Sequence, residues 1–153
     1  MSNLETDIGE LIYSADIRFT GVVEYGVHMD ALTTGQEPIP PAGARFDQTF
    51  QGTLHGPKIK GLIEGTDFLY VRPDGTFHLH LHGKITTEDG VNIALFSDGV
   101  SLQQENTHEA LLRSTVSLFT LSEPYQWLNR LQLWAMGTLD PQKGEASIRA
   151  YSA

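Results

Sequence analysis

The sequence contains no cysteine and is poor in basic side chains. Without cysteine, a disulfide framework, a thiolate nucleophile and a cysteine-ligated zinc site are all excluded. Ten lysines and arginines stand against nineteen acidic residues, so the formal net charge is −9, and the basic residues form no run. Because nucleic acids and anionic membranes are bound by clustered positive charge, we expect neither as a partner.

Long apolar runs are also missing, and none approaches the roughly 18 residues that a membrane helix needs. The first ten residues are acidic and lack an apolar core, so we expect a frayed lead over 1–10 and no signal peptide. The absence of cysteine fits a reducing cytoplasm, where we expect the protein to be located. A chain of 153 residues, 40% of them hydrophobic, predicts one globular domain over 1–153. Neither a P-loop nor a dinucleotide fingerprint nor a Gly-x-Ser-x-Gly elbow is present, and we expect no cofactor.

The most informative stretch runs from 72 to 90, where two Asp-Gly pairs bracket a period-two pattern. Asp-Gly is a strong hairpin signal because a type I′ turn needs positive φ at both central residues. Side chains alternate between the two faces of a strand. Three apolar residues therefore share one face and three histidines share the other: Phe77, Leu79 and Leu81 against His78, His80 and His82.

Turn signals recur along the whole chain and predict a strand-rich fold with almost no helix. The alternating stretch predicts a strand at about 76–87, and other strands are expected at about 11–24, 45–54, 58–64, 67–72, 91–97, 100–104, 110–121, 131–139 and 145–151, with one short helical turn over 122–129. A sheet of this size closes or splits in two. We predict a closed or nearly closed antiparallel β-barrel of about eight to nine strands, with the proline-rich segment 33–44 as a loop that could act as a lid.

Several short motifs occur in order: Gly-Thr-Leu-His-Gly-Pro (52–57), Val-Arg-Pro-Asp-Gly-Thr (71–76), Thr-Glu-Asp-Gly (87–90), Leu-Arg-Ser-Thr (112–115) and Tyr-Gln-Trp-Leu-Asn-Arg (125–130). Together they resemble the domain-of-unknown-function 3237 family of small bacterial and fungal proteins over about 44–151. The resemblance implies a barrel akin to those of allene oxide cyclases and dirigent proteins, and it implies no settled activity.

The chain departs from the family pattern at three places. The family has Asp-Ala-Arg-Tyr where this sequence has His-Leu-His-Gly (80–83), so an acid–base pair is replaced by two histidines. Its Gly-Gly-x-Asp-Trp corresponds to 65–68, which keeps Asp67, and its Phe-Glu-Thr corresponds to 118–120, which lacks the glutamate. The resemblance retains Arg113, Tyr125, Trp127 and Asn129.

The histidine face has two competing interpretations. Polar residues that alternate with apolar ones are typical of any strand with one solvated face. Alternatively, the row lines a cavity, where His80 and His82 would transfer protons near neutral pH and His78 would contact substrate. Neighbouring histidines of the row could also share a metal ion, but a third ligand would have to come from elsewhere, and we predict no metal site.

The other candidate residues also have structural alternatives. Asp67 and Arg113 could orient a substrate or stabilise developing charge. As structural alternatives, Asp67 could cap a turn and Arg113 could form an ion pair. Aromatic and sulfur-containing side chains could line a hydrophobic ligand cavity or simply fill the core. The predicted substrate-binding set is His78, Trp127, Trp134, Met136 and Tyr70.

These patterns predict a cofactor-free enzyme that acts on a small hydrophobic carbonyl or polyketide-like molecule inside a barrel. The reaction class would be isomerisation, cyclisation or lyase chemistry by acid–base catalysis, in a homodimer or higher homo-oligomer. A lipocalin-like carrier of a small hydrophobic ligand is the first alternative, and apolar rows inside with histidines outside would favour it. A cupin-like metal enzyme is the second.

Overall fold

The computed structural model describes residues 9–105 and 107–152. Eight antiparallel strands are each paired with the next along the chain, and the last pairs with the first to close a barrel. The strands are β1 Leu11–Glu24, β2 Ala44–His55, β3 Lys60–Val71, β4 Phe77–Thr87, β5 Asn92–Gln103, β6 Ala110–Phe119, β7 Leu133–Asp140 and β8 Glu145–Ser152. A short helix α1 spans Met29–Thr33, and a 3₁₀ helix spans Glu123–Arg130. The closed antiparallel barrel confirms the predicted fold class.

Two predicted strand breaks are wrong, because β3 and β5 run through Gly65-Thr66 and Asp98-Gly99 without interruption. Gly65 pairs with Gly83 of β4. A Cβ atom at Gly65 would lie 2.4 Å from the carbonyl oxygen of His82 and 2.6 Å from the Cα of Gly83. The glycine therefore permits close approach of two coiled strands inside the barrel and does not form a turn.

The end of the barrel at which β1 begins, here called the base, is filled and closed. Ile85, Ile93, Leu128 and Leu133 have no exposed surface there. Asn129 of the 3₁₀ helix accepts a hydrogen bond from the Thr120 backbone N–H at 2.8 Å and donates to the Thr120 carbonyl at 2.8 Å. The predicted helical turn is thus confirmed, and it seals the base with apolar side chains.

The opposite end, the mouth, carries α1, which the sequence patterns did not predict. Glu24 at the end of β1 accepts a hydrogen bond from the backbone N–H of Met29 at 2.6 Å, which anchors the start of this helix. The proline-rich segment follows α1, and the Tyr70 hydroxyl donates to the Ala42 carbonyl at 3.0 Å. The loop predicted as a lid is therefore tied to the outside of β3, and α1 lies nearer the opening.

Within the described ranges, neither helix combines the length and apolar character that crossing a membrane would require.

Candidate active site

A cavity of about 180 Å³ occupies the half of the barrel between its middle and its mouth. Its wall is mostly aliphatic and aromatic, with Ile63, Leu69, Phe77, Leu79, Leu95 and Leu112 among the lining residues. Met29 and Thr33 of α1 line the cavity at the mouth. The space is therefore an apolar chamber that a small hydrophobic molecule could enter.

Asp67 is a carboxyl group buried inside this chamber, near the middle of β3. Only 3% of its surface is exposed, and it lies on the same strand face as Ile63 and Leu69. Its Oδ1 accepts a hydrogen bond from the backbone N–H of His80 at 3.0 Å. Among the described residues, no hydrogen bond reaches Oδ2, so that oxygen is available to a molecule in the cavity.

The local strand pairing makes room for this carboxyl. β3 and β4 pair at Asp67 with Leu81 and again at Tyr70 with His78, in one constant register, and the ladder is open between these two points. No residue is inserted there. The N–H of His80 is instead directed to the Asp67 side chain. Asp67 thus lies mid-strand, and the expected alternative of a turn-capping carboxylate is wrong.

Burial controls the protonation of Asp67. Removal from water disfavours the charged form, and burial raises the pKa of the Asp67 carboxyl to about 6. The hydrogen bond from the His80 N–H and the charges of His80 and His78 oppose this rise by stabilising the carboxylate, so they act to lower the pKa. Both protonation states are therefore accessible near neutral pH, as general acid–base catalysis requires.

Other polar side chains lie beside Asp67 on the cavity wall. Gln48 of β2 is directly opposite Asp67 in the strand pairing, and Ser97 of β5 is opposite Leu81, the β4 partner of Asp67. Both line the cavity, as does the buried Tyr13 of β1. Burial raises the pKa of the Tyr13 phenol, so this side chain remains a neutral hydroxyl at physiological pH.

The histidine row lies on the outer face of β4, so the structure selects the solvent-facing alternative. The hydrophobic effect decides the orientation, because Phe77, Leu79 and Leu81 gain most by facing the interior. The side chain of His80 is 53% exposed. A catalytic role for His80 and His82 stays a prediction that lacks a cavity contact.

The outward histidines form a cluster of their own. Asp98 of β5 lies 2.9 Å from His78 Nε2 and 3.5 Å from His80 Nδ1. The Nε2 atoms of His80 and His82 are 3.1 Å apart. The ring of His82 also meets Phe68 and Phe96 edge-on. Within residues 9–105 and 107–152, no group of three or more His, Asp or Glu side chains is arranged to hold a metal ion.

The remaining predicted site residues do not line the cavity. Arg113 is exposed and donates to the carbonyl of Leu112 at 2.8 Å. Trp134 is 53% exposed on β7, and Met136 lies on the same outward face two residues further on. The Trp127 indole N–H donates to the Pro124 carbonyl at 3.0 Å within the 3₁₀ helix. Tyr70 holds the proline-rich loop from outside the barrel.

Polar residues on the cavity wall were missed although the sequence contains a signal for them. Gln48 lies between Phe46 and Phe50 at a spacing of two, and Ser97 follows Ile93 and Leu95 in the same way. A polar side chain in phase with apolar neighbours occupies the buried face of a strand. The same test would have put Asp67, in phase with Ile63 and Leu69, inside the barrel.

The fold and the site define a class: an eight-stranded antiparallel barrel with an apolar chamber and one buried carboxyl at its centre. A family model described as "Protein of unknown function (DUF3237)" matches residues 27–153. The chain belongs to this family, which confirms the resemblance drawn from the sequence motifs.

Solved structures share the barrel. A protein of unknown function from Clostridium acetobutylicum superposes with a TM-score of 0.74 at 20% identity, covering 94% of this chain and 97% of that one. A β-barrel-like protein from Acinetobacter baumannii gives 0.72 at 23% identity, over 94% and 93%. An enzyme from Penicillium herquei gives 0.65 at 22% identity, over 99% and 100%.

A curated relative carries a functional name. It is the "Hydroalkoxylation enzyme phnH" of Penicillium herquei, 34% identical over 85 residues, which make up 54% of this chain. The match spans about half, 50%, of that protein's length.

Proposed function

We propose that this protein is a cofactor-free acid–base enzyme in which Asp67 moves a proton on a small hydrophobic molecule bound inside the barrel. The supporting observation is a carboxyl that is 3% exposed, has a pKa of about 6 and is surrounded by apolar side chains. A buried group with a perturbed pKa in a cavity is a candidate for a functional site. The hydroalkoxylation enzyme at 34% identity supports catalysis as the role.

The reaction class that we propose is an intramolecular addition of a hydroxyl group across a carbon–carbon double bond. The protonated Asp67 donates its proton to one alkene carbon while the substrate oxygen bonds to the other. The π bond and the O–H bond break, a C–H and a C–O bond form, and the hydroxyl proton returns to the carboxylate. The product is a cyclic ether of unchanged mass, and Asp67 ends in its starting protonation state.

The environment of Asp67 suits this chemistry. The His80 N–H occupies Oδ1, so Oδ2 is the oxygen that would exchange protons with the substrate. Gln48 and Ser97 lie close enough in the strand pairing to orient a substrate hydroxyl or carbonyl. The apolar wall holds the reacting groups together and excludes water, which would otherwise compete as nucleophile and proton donor.

The proposal is tested with a panel of small apolar molecules that carry both a hydroxyl group and a carbon–carbon double bond. Mass-resolved chromatography should detect an isomer of one or more of them. We expect Asp67→Asn to lower the rate by about two to four orders of magnitude, the usual contribution of a general acid–base group. His55→Gln, on the outer face of β2, is the matched control and should retain activity. Equal turnover by Asp67→Asn and the unmodified protein would refute the role of Asp67.

A non-catalytic carrier is the second candidate, and the orientation of β4 favours it. The apolar row Phe77, Leu79 and Leu81 lies on the inner face and the histidines lie outside. This is the arrangement expected of a carrier for a hydrophobic ligand. A carrier would bind compounds of this panel and release them unchanged. Recovery of bound, unreacted panel compounds with no isomer would place this function first.

A further inference from the structure

His80 contributes to both faces of the barrel wall. Its backbone N–H is directed to Asp67 Oδ1 at 3.0 Å, where the β3–β4 ladder is open. Its imidazole projects to the outside, where Nδ1 lies 3.5 Å from Asp98 and Nε2 lies 3.1 Å from His82. The backbone of His80 therefore binds the buried carboxyl, while its ionisable ring lies on the opposite side of the sheet.

We propose that His80 is a positioning residue for Asp67: its N–H fixes Oδ1 so that Oδ2 faces the cavity, and its outer imidazolium favours the carboxylate form of Asp67. The inference deepens the proposed function, because it takes Asp67 as the acid–base group of the cavity. Asp98 Oδ1 lies 2.9 Å from His78 Nε2 and 3.5 Å from His80 Nδ1, so it holds both rings on the outer side of the sheet. The outer cluster thereby shifts Asp67 towards the carboxylate, against the larger effect of burial.

The charges around Asp67 agree with this arrangement. On β2 the facing side chain is the neutral Gln48, and from β1 the cavity receives the neutral phenol of Tyr13. On α1, Asp30 lines the mouth with charge of the same sign as Asp67. The basic side chains described on β4 are the three histidines and Lys84, and Lys84 Nζ lies 3.4 Å from Glu64. The cationic influence on Asp67 thus comes from the histidine row.

The coupling also appears in the protonation of Asp67. The charges of His80 and His78 act to lower the pKa of Asp67 against the rise that burial causes. Burial favours the protonated acid, which donates the proton in the proposed reaction. The histidines favour the carboxylate that this donation leaves behind, until the substrate hydroxyl returns a proton to it.

The test follows the Asp67 ¹³Cγ resonance through a pH titration of the whole protein without substrate. We expect the Asp67 midpoint to rise by roughly half a pH unit in His80→Gln, because a nearby positive charge is lost. A smaller rise is expected in His78→Gln. His55→Gln, on the outer face of β2, is the control and should leave the midpoint unchanged. His80→Lys restores a positive charge and should return the midpoint towards its original value, which a purely structural role would not do.

A second measurement needs no substitution. If the N–H of His80 is bonded to Asp67, its amide proton shift should change with pH at the same midpoint as the Asp67 carboxyl. A His80 amide that does not follow Asp67, or an Asp67 midpoint that is equal in His80→Gln and the unmodified protein, would overturn the inference. Failure of the proposed function is distinct, because it would be seen as turnover retained in Asp67→Asn whatever the titrations show.

Discussion

At the scale of single residues, the buried carboxyl of Asp67 can exchange a proton near neutral pH, and its burial lowers the stability of the folded protein. Its pKa is raised from the ordinary 3.8 to about 6 by burial. The folded protein therefore holds the Asp67 proton up to a higher pH than the unfolded chain does. Through this group, stability is greatest below about pH 4 and declines as the pH rises to about 6. The ionised carboxyl is tolerated although it opposes folding, which is typical of active sites.

Replacement of Asp67 should therefore stabilise the protein. We expect Asp67→Asn to raise the free energy of unfolding at pH 7 by up to about 3 kcal/mol, the equivalent of a shift of about two pKa units. The asparagine oxygen can still accept the His80 N–H. Urea unfolding at pH 7 and at pH 4 measures the effect, and the gain should largely vanish at pH 4. A loss of stability at pH 7 would contradict the account.

Asp74 provides a control of opposite sign. It lies in the β3–β4 turn, and the hydrogen bond that it accepts from the Thr76 N–H at 2.9 Å holds its pKa below the ordinary value. The stability that it contributes is present above the pKa of the unfolded chain and is lost as the pH falls. Asp74→Asn should therefore destabilise at pH 7 and lose its effect in acid, the reverse of Asp67→Asn.

At the scale of strands and helices, close backbone approach at the glycine pair shapes the barrel wall. We expect Gly65→Ala to destabilise by about 1 to 3 kcal/mol, the usual cost of overpacking, because the added Cβ meets backbone atoms of His82 and Gly83 within 2.6 Å. Gly21→Ala is the control, since its Cβ would meet only the end of the Thr49 side chain, at 3.2 Å. Thermal unfolding compares the two, and equal effects would contradict this role for Gly65.

The 3₁₀ helix seals the base through one fully buried side chain, Leu128. Truncation to alanine removes its apolar contacts and leaves a cavity, so Leu128→Ala should cost about 2 to 5 kcal/mol. Leu121, which is 76% exposed just before the helix, should tolerate the same truncation within about 0.5 kcal/mol. Chemical denaturation measures both. A small effect at Leu128 would mean that the base does not depend on this helix.

The sequence predicts most elements of the barrel because their turns have local signals. Gly75 and Gly90 have φ of +90° and +85°, and the Asp-Gly pairs predict both turns. Gly65 and Gly99 suggested breaks that do not exist, since only the paired strand shows why a glycine is needed there. Helix α1 is five residues long, which is too short to show a periodic pattern. It also lies next to the proline-rich segment, whose composition indicates a loop.

At the scale of the whole molecule, the homo-oligomeric state remains a prediction, and the structure changes which side chains would form the contact between subunits. Had the histidines faced the cavity, Phe77, Leu79 and Leu81 would point outward and need another subunit to cover them, but these three side chains line the interior. Three other large side chains are about half exposed on the neighbouring strands β5, β6 and β7: Phe96 at 47%, Phe119 at 53% and Trp134 at 53%. Grouped exposed aromatics are typical of contact surfaces.

We therefore retain the homodimer as the expected state. Light scattering at micromolar concentration should give twice the chain mass of 16.9 kDa, and Trp134→Lys should shift the mass towards that of one chain. A mass of one chain for the unmodified protein would show a monomer and refute the predicted homodimer, while the proposed role of the cavity would be unaffected.

The candidate site could be predicted only in part. The family motif retains Asp67, and its spacing from Ile63 and Leu69 indicates the buried face of β3, but the pattern does not show which side chains lie beside it. Those neighbours are determined by the closure of all eight strands, which brings Gln48 and Ser97 to the same wall. The alternation in β4 allows either face of the strand to be inside the barrel. Only the free energy of burying Phe77, Leu79 and Leu81 distinguishes these two orientations.

Ligands are expected to bind in the interior beside Asp67 and not on the histidine face. A ¹H–¹⁵N spectrum recorded with increasing ortho-allylphenol, a small apolar molecule with a hydroxyl group and a double bond, distinguishes the two locations. We predict that the shift changes concentrate at lining residues such as Ile63, Leu69, Ser97 and Leu112, while the ring nitrogens of His78 and His82 stay constant. Changes confined to the histidine rings, with the interior unaffected, would contradict the account.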